Sequence, residues 1–230
     1  SKYLSDLTFS DFGEVIDPPT VDVTGHVLEM LGNLGCSMED VHVNRACQFV
    51  QDNQEPDGSW FGRWGVNYIY GTGCVLPGLA AIGEDMCEPY IVRAAEWLVD
   101  HQNEDGGWGE TCGSYADPSL RGVGPSTASQ TSWALIGLIA SCHKADDSIY
   151  RGIQYLMDTQ QQDGTWDEPY FTGTGFPGYG TGCVPYNIQE DELWREYDLS
   201  IPSGLMIRYD LYRIVWPLLA LARYKQSCTQ

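Results

Sequence analysis

Basic side chains are scarce in this chain: 12 Lys and Arg stand against 32 Asp and Glu, a formal charge of −20. A surface of that sign repels phosphate backbones, so nucleic-acid binding is excluded. It also disfavours electrostatic docking on anionic lipid, and the charge reads as a well-solvated surface. Long apolar runs are missing, and no stretch approaches the about 18 residues that a membrane-spanning helix needs. The eight cysteines, at 36, 47, 74, 87, 112, 142, 183 and 228, form no CxxC and no Cys/His cluster at zinc spacing. That excludes a structural zinc site and reads as a reduced, cytosol-facing chain without a metal. There is no GxSxG elbow and no GxxxxGK(S/T) phosphate loop. The Asn53, Glu55, Asp57-Gly58 spacing starts like a calcium loop, but its twelfth position is Trp64 instead of Glu. With neither an initiator Met nor a signal peptide, the start reads as a cut end.

What is present is repetition. RACQFVQDNQEPDGSW (45–60), RAAEWLVDHQNEDGGW (93–108) and RGIQYLMDTQQQDGTW (151–166) place a basic, a small, an aromatic and an aliphatic residue, then Gln, Gly and Trp, in the same slots. Self-similarity at a period of about 20–50 residues is the signature of stacked supersecondary units. Each copy begins as a helix with apolar residues three to four apart. The small residue (Ala46, Ala94, Gly152) permits close helix approach, and Asp-Gly supplies the turn with its positive φ. The Gln (54, 102, 160) lies where orphan carbonyls need donors, and its amide can also bond the start of an adjoining helix. The Trp (60, 108, 166) stacks on that Gln and fills the gap between units. Gln54, Trp60, Gln102, Trp108, Gln160 and Trp166 are therefore structural staples.

Helical periodicity predicts Val21–Gly35, Val41–Asp52 behind a Ser37/Asp40 capping box, Val66–Ile82, Pro89–Asp100, a helix capped by Ser126-Thr127 and reaching Cys142, a helix from Asp146 or Asp147 to Gln160, and a last one ending near Tyr224. No strand-like alternation of useful length occurs. The fold class is all-α, helix–turn–helix units in series. The segment 178–204 is long for a structureless connection and reads equally as a cavity cover and as a surface excursion.

The three copies resemble the QW repeats of triterpene cyclases. The stretches DFGEVIDPPTVDVTGH, PDGSWFGRWGVNYIYGTG, WDEPYFTGTGFPG and YDLYRIVWPLLALARYKQ are similar, in order, to the C-terminal part of squalene–hopene cyclases. The resemblance implies a partial α/α toroid, with residues 1–230 as part of the catalytic barrel domain. It implies acid-started cyclisation of squalene to hopene-like pentacycles, without cofactor or metal. It further implies a monotopic protein on the cytoplasmic side of a membrane, with squalene and the rest of the cyclase as partners and dimers as an expected state. The family's acid lies in a DxDD motif, which this sequence does not contain. The isolated chain is therefore expected to be inactive.

Asp22 and His26 stand four apart, on one face of a predicted helix start. By spacing alone they are an ordinary solvated pair; by resemblance His26 bonds the catalytic acid and Asp22 is its polar support. A cationic His beside a carboxylic acid eases loss of the proton. Aromatic faces stabilise a carbocation without trapping it, by about 0.5–2 kcal/mol each. By composition such rings are ordinary core. By resemblance Phe9, Phe12, Phe176, Tyr209 and Tyr212 contact cations, while Trp64 and Tyr70 line the polyene's path. Leu205 stands where some relatives carry an aromatic, which leaves the product skeleton open. Two other classes fit the composition: a helical toroid that binds a lipid or partner without chemistry, and a glycoside-processing α/α barrel, for which no persuasive carboxylate pair stands beside aromatics.

Overall fold

The computed structural model describes residues 19–141, 146–175 and 205–229. Its helices are α1 (Val21–Asn33), α2 (Val41–Asp52), α3 (Tyr68–Ala81), α4 (Pro89–Asp100), α5 (Ala128–Ala140), α6 (Asp146–Thr159) and α7 (Tyr212–Ser227). They form two layers. α1 packs on α3, α3 on α5 and α5 on α7, while α2, α4 and α6 lie outside against this row. The layers follow from composition. α3 (YIYGTGCVLPGLAA) and α5 (ASQTSWALIGLIA) carry almost no charge and are buried nearly end to end. α2, α4 and α6 are amphipathic and bury one stripe each. This is a partial α/α toroid whose inner row curves, so that its two ends, α1 and α7, meet through long side chains: Arg223 pairs with Glu29, and Trp216 stacks on His26. The outward edges of those end helices stay apolar and exposed: Val23, Val27 and Met30 on α1 with Leu34 at its C-cap, and Val215 and Leu218 on α7.

The repeat's side chains act between units. Each Trp is buried and its indole N–H donates to a carbonyl ten residues earlier, in the last turn of its own outer helix: Trp60 to Val50 (2.8 Å), Trp108 to Leu98 (2.7 Å), Trp166 to Leu156 (2.7 Å). The Trp is thus held by a helix-end carbonyl. The Gln amide does reach the next outer helix. Gln54 Nε2 donates to the Gly58 and Tyr90 carbonyls, and Gln102 Nε2 to those of Gly106 and Ser148. The repeat's opening Arg answers from the following unit, since Arg93 donates to Gln54 Oε1 and Arg151 to Gln102 Oε1. At Gly152 a Cβ would lie 2.7 Å from Trp108 Cζ3. The small residue there makes room for the preceding unit's indole, not for a helix backbone.

Helix ends fall within a few residues of the periodicity except at the chain's end, where Tyr209 precedes α7 and Tyr212 opens it. Asp40 itself caps α2, accepting from the amides of His42 and Val43, so the box expected from Ser37 does not form as such. A short antiparallel pair, β1 (Gly173–Gly175) with β2 (Leu205–Ile207), corrects the strand-free expectation. Three-residue strands pair through tertiary contact and leave no alternation to read.

Close approach of α1 and α3 depends on glycine. A Cβ on Gly78 would lie 2.4 Å from the Gly25 carbonyl oxygen, and one on Gly25 would lie 2.7 Å from that of Cys74. Helix propensity alone favours Gly78→Ala by about 1 kcal/mol. The backbone contact opposes it, and no rotamer change can relieve it. We expect Gly78→Ala to cost about 1–3 kcal/mol as a lowered urea midpoint; an unchanged or raised midpoint would show that the helices do not cross this closely.

Candidate active site

The α1–α3 crossing brings His26 of α1 against Tyr70 and Cys74, which lie one turn apart on α3. His26 Nε2 is 3.3 Å from Tyr70 Oη and 3.3 Å from Cys74 Sγ. α5 contributes Trp133, whose ring lies 4.8 Å from that of Tyr70. α7 contributes Tyr212 and Trp216, at 5.8 and 5.9 Å from Trp133 and 6.0 Å from each other. Trp216 closes the circuit by stacking on His26 at 6.3 Å. Four inner helices thus supply one group of rings. His26, Cys74, Trp133 and Trp216 line a hollow of about 200 Å³, with Ile136, Leu219 and the Glu29–Arg223 pair at its wall.

Burial depresses the His26 pKa below its ordinary 6.5, with the Asp22 and Glu29 charges opposing the shift, so the imidazole is neutral at pH 7. A cationic His26 needs a further negative charge beside it. Burial raises the Tyr70 phenol and the Cys74 thiol well above their usual values and moves Tyr212 to about 12. None of these groups is an anion that would trap a cation.

Asp22 is fully buried, but its carboxylate does not hold His26. Oδ2 accepts the backbone amides of Arg63 (2.9 Å) and Trp64 (3.0 Å), and Oδ1 that of Val23 (3.0 Å). It ties the loop after the first repeat to the start of α1 and reaches His26 through its charge. Trp64 lies away from the ring group, in a separate open hollow of about 450 Å³ with Thr20, Val23, Val27 and Arg63. The Arg63 guanidinium sits 4.9 Å from its ring. Tyr209 stacks on Tyr212 at 4.6 Å and lies over Gly173 of β1, partly exposed. The structure therefore gathers His26, Tyr70 and Tyr212, sets Tyr209 at the margin and leaves Trp64 and the Asp22 carboxylate outside. Phe9, Phe12, Phe176 and the 178–204 segment lie outside the described residues.

Trp133, Trp216 and Cys74 are absent from the sequence-derived set. The available signals are the i,i+4 spacings Tyr70–Cys74 and Tyr212–Trp216, each of which puts two groups on one helix face. A second recurring feature is Trp-x-Glu. Glu110 and Glu168 follow Trp108 and Trp166 by two residues and are buried. Glu110 Oε2 accepts the amides of Asn67 (3.2 Å) and Ile69 (2.9 Å) at the start of α3. Glu168 accepts the amide (2.8 Å) and hydroxyl (2.9 Å) of Ser129 in the first turn of α5. Each loop thus returns a carboxylate to the positive end of the preceding inner helix.

The squalene–hopene cyclase C-terminal domain model matches residues 1–191. The squalene–hopene cyclase of Alicyclobacillus acidocaldarius is 52% identical over 221 residues, 96% of this chain and 31% of the relative. That of Zymomonas mobilis is 41% identical over 97% of this chain and 30% of its own length. A dammaradiene synthase of Dryopteris crassirhizoma is 45% identical over 76% of this chain and 29% of its own. The chain thus spans about a third of the length of these relatives. Among solved structures, ent-copalyl diphosphate synthase from Streptomyces platensis shares the fold at a TM-score of 0.53 and 24% identity, over 72% of this chain and 31% of that one. With the domain match, these identities and the stapled helical layers together, the chain belongs to the squalene–hopene cyclase family and corresponds to its C-terminal domain.

Proposed function

We propose that this chain is the part of a triterpene cyclase that walls the reaction cavity and supports the acid, in an isomerase that protonates squalene and closes it through carbocations into pentacycles. The ring group of His26, Tyr70, Trp133, Tyr212 and Trp216 carries this reading. It presents the indoles of Trp133 and Trp216 and one imidazole to a single hollow, with the neutral phenols of Tyr70 and Tyr212 packed on those rings, in a family whose relatives carry the cyclase name. Cation–π attraction in a dry cavity is worth up to about 2 kcal/mol per ring. An acid carboxyl from outside this chain would bond His26; Tyr209 and Tyr212 would face the later cations, with Phe9, Phe12 and Phe176 in the same role and Tyr70 at the wall beside His26. Asp22 acts one step back, by fixing the Arg63–Trp64 loop. The hollow of about 200 Å³ lies below the roughly 300–1,000 Å³ of sites for drug-sized ligands. A C30 polyene therefore needs wall from the rest of the protein. The exposed apolar edges of α1 and α7 suit that contact, and the membrane as the source of so apolar a substrate.

The test joins this chain to a family segment bearing the DxDD acid, supplies squalene and reads the product by mass spectrometry. Pentacyclic product is expected from the joined protein and none from the chain alone. Squalene retained but never cyclised by the joined protein would replace the reading with that of a lipid-binding toroid. The dammaradiene synthase relative makes the skeleton itself informative, since a different ring system would assign a sister activity.

A further inference from the structure

We propose that Cys74 is a positioning residue for His26. Its S–H donates to His26 Nε2, with the Tyr70 phenol beside both, and holds the imidazole as the Nδ1–H tautomer, so that Nδ1–H is the donor presented to an acid carboxylate. The juxtaposition is direct. Cys74 and Tyr70 lie one turn apart on α3, both buried, and both reach the same ring nitrogen at 3.3 Å. The two distances do not mean the same thing. An O–H donor normally sits about 2.5–3.0 Å from its acceptor, so the tyrosine contact is stretched. Sulfur is larger, and 3.3 Å is close contact for a thiol. Cys74 is therefore the better-seated donor, with Tyr70 in support.

Proton counting sets the direction. The phenol and the thiol both keep their hydrogens, because burial opposes either anion. Nε2 offers a single lone pair: the thiol hydrogen fills it while the Tyr70 phenol bonds the thiol sulfur, whereas an imidazole carrying Nε2–H would leave the thiol hydrogen without this acceptor. A bare Nε2 satisfies the cluster, and a neutral imidazole then carries its proton on Nδ1. The closeness of α1 and α3 leaves little freedom to escape this arrangement, since the Cys74 carbonyl abuts Gly25, next to His26 in sequence.

The tautomer stands independently of any reaction; only its use toward an acid rests on the cyclase reading. The test is long-range ¹H–¹⁵N correlation of histidine-labelled protein without substrate. Wild type is expected to show His26 with a bare Nε2 and a protonated Nδ1. Cys74→Ser, which keeps a donor, should retain that pattern. Cys74→Ala combined with Tyr70→Phe should shift His26 toward Nε2–H. A wild-type His26 already protonated on Nε2, or a double variant with an unchanged tautomer, would overturn the proposal. In the acid-bearing joined protein, Cys74→Ala should lower kcat roughly 3- to 10-fold, one hydrogen bond's worth, with KM unchanged and with recovery in Cys74→Ser. An unchanged kcat there overturns the positioning role; absence of cyclisation in the wild-type joined protein overturns the cyclase reading and leaves the tautomer result intact.

Discussion

Trp108→Ala is expected to cost about 3–5 kcal/mol of unfolding free energy, the range for truncating a large buried aromatic. Trp108 has 0% exposure, donates its indole N–H to the Leu98 carbonyl at 2.7 Å and its backbone N–H to the Thr131 hydroxyl oxygen at 2.9 Å. It belongs to the middle repeat, with units on both sides, and the absence of a Cβ at Gly152 is what admits its ring. Truncation leaves a cavity between α4, α5 and α6 and strips the Leu98 carbonyl of its side-chain donor. Trp108→Phe separates the two losses: it keeps most of the volume and forfeits the hydrogen bond, at about 1–3 kcal/mol. Urea midpoints at constant slope read both. A Trp108→Ala protein within about 1 kcal/mol of wild type would show that the repeats are held together by something other than these indoles.

The second large effect is one of pH. Burial moves the Glu110 carboxyl from 4.5 up to about 7, even though the amides of Asn67 and Ile69 bond the charged form. In the unfolded chain the group titrates near 4.5. Between about pH 4.5 and 7 the folded state therefore holds more of this proton than the unfolded state, and stability falls as pH rises through that window. A shift of this size corresponds to about 3 kcal/mol. Glu110→Gln keeps an oxygen acceptor for the α3 amides and removes the charge, so its stability should be flatter from pH 5 to 7.5 and higher than wild type at pH 7.5. Parallel wild-type and variant curves across that window would exclude Glu110 as the titrating group. Glu168, raised by the same burial at the start of α5, adds a slope of the same sign.

Of the rings named by resemblance, Tyr70 lies on the His26 side of α3, and Tyr209 and Tyr212 meet as a stack at the entrance of α7. Trp64 illustrates the opposite case. The resemblance put it along the same cavity, but the loop that carries it is pulled to the start of α1 by Asp22, 42 residues earlier. The carboxylate expected to serve His26 is spent on that tether.

By itself the sequence determined the units: seven helices in order, their amphipathic or wholly apolar character, the turns at Gly58, Gly106 and Gly164, and the Gln and Trp positions that join one unit to the next. These are properties of a few consecutive residues, where propensity, periodicity and positive φ act locally. Tertiary structure alone decided which rings share a hollow, that Cys74 and Trp133 stand beside His26, and that Glu110 and Glu168 turn back to cap earlier helices. Those contacts join residues tens of positions apart, and their distances depend on how closely two backbones cross. At Gly25 and Gly78 that closeness rests on missing Cβ atoms, which become informative only once the facing helix is known.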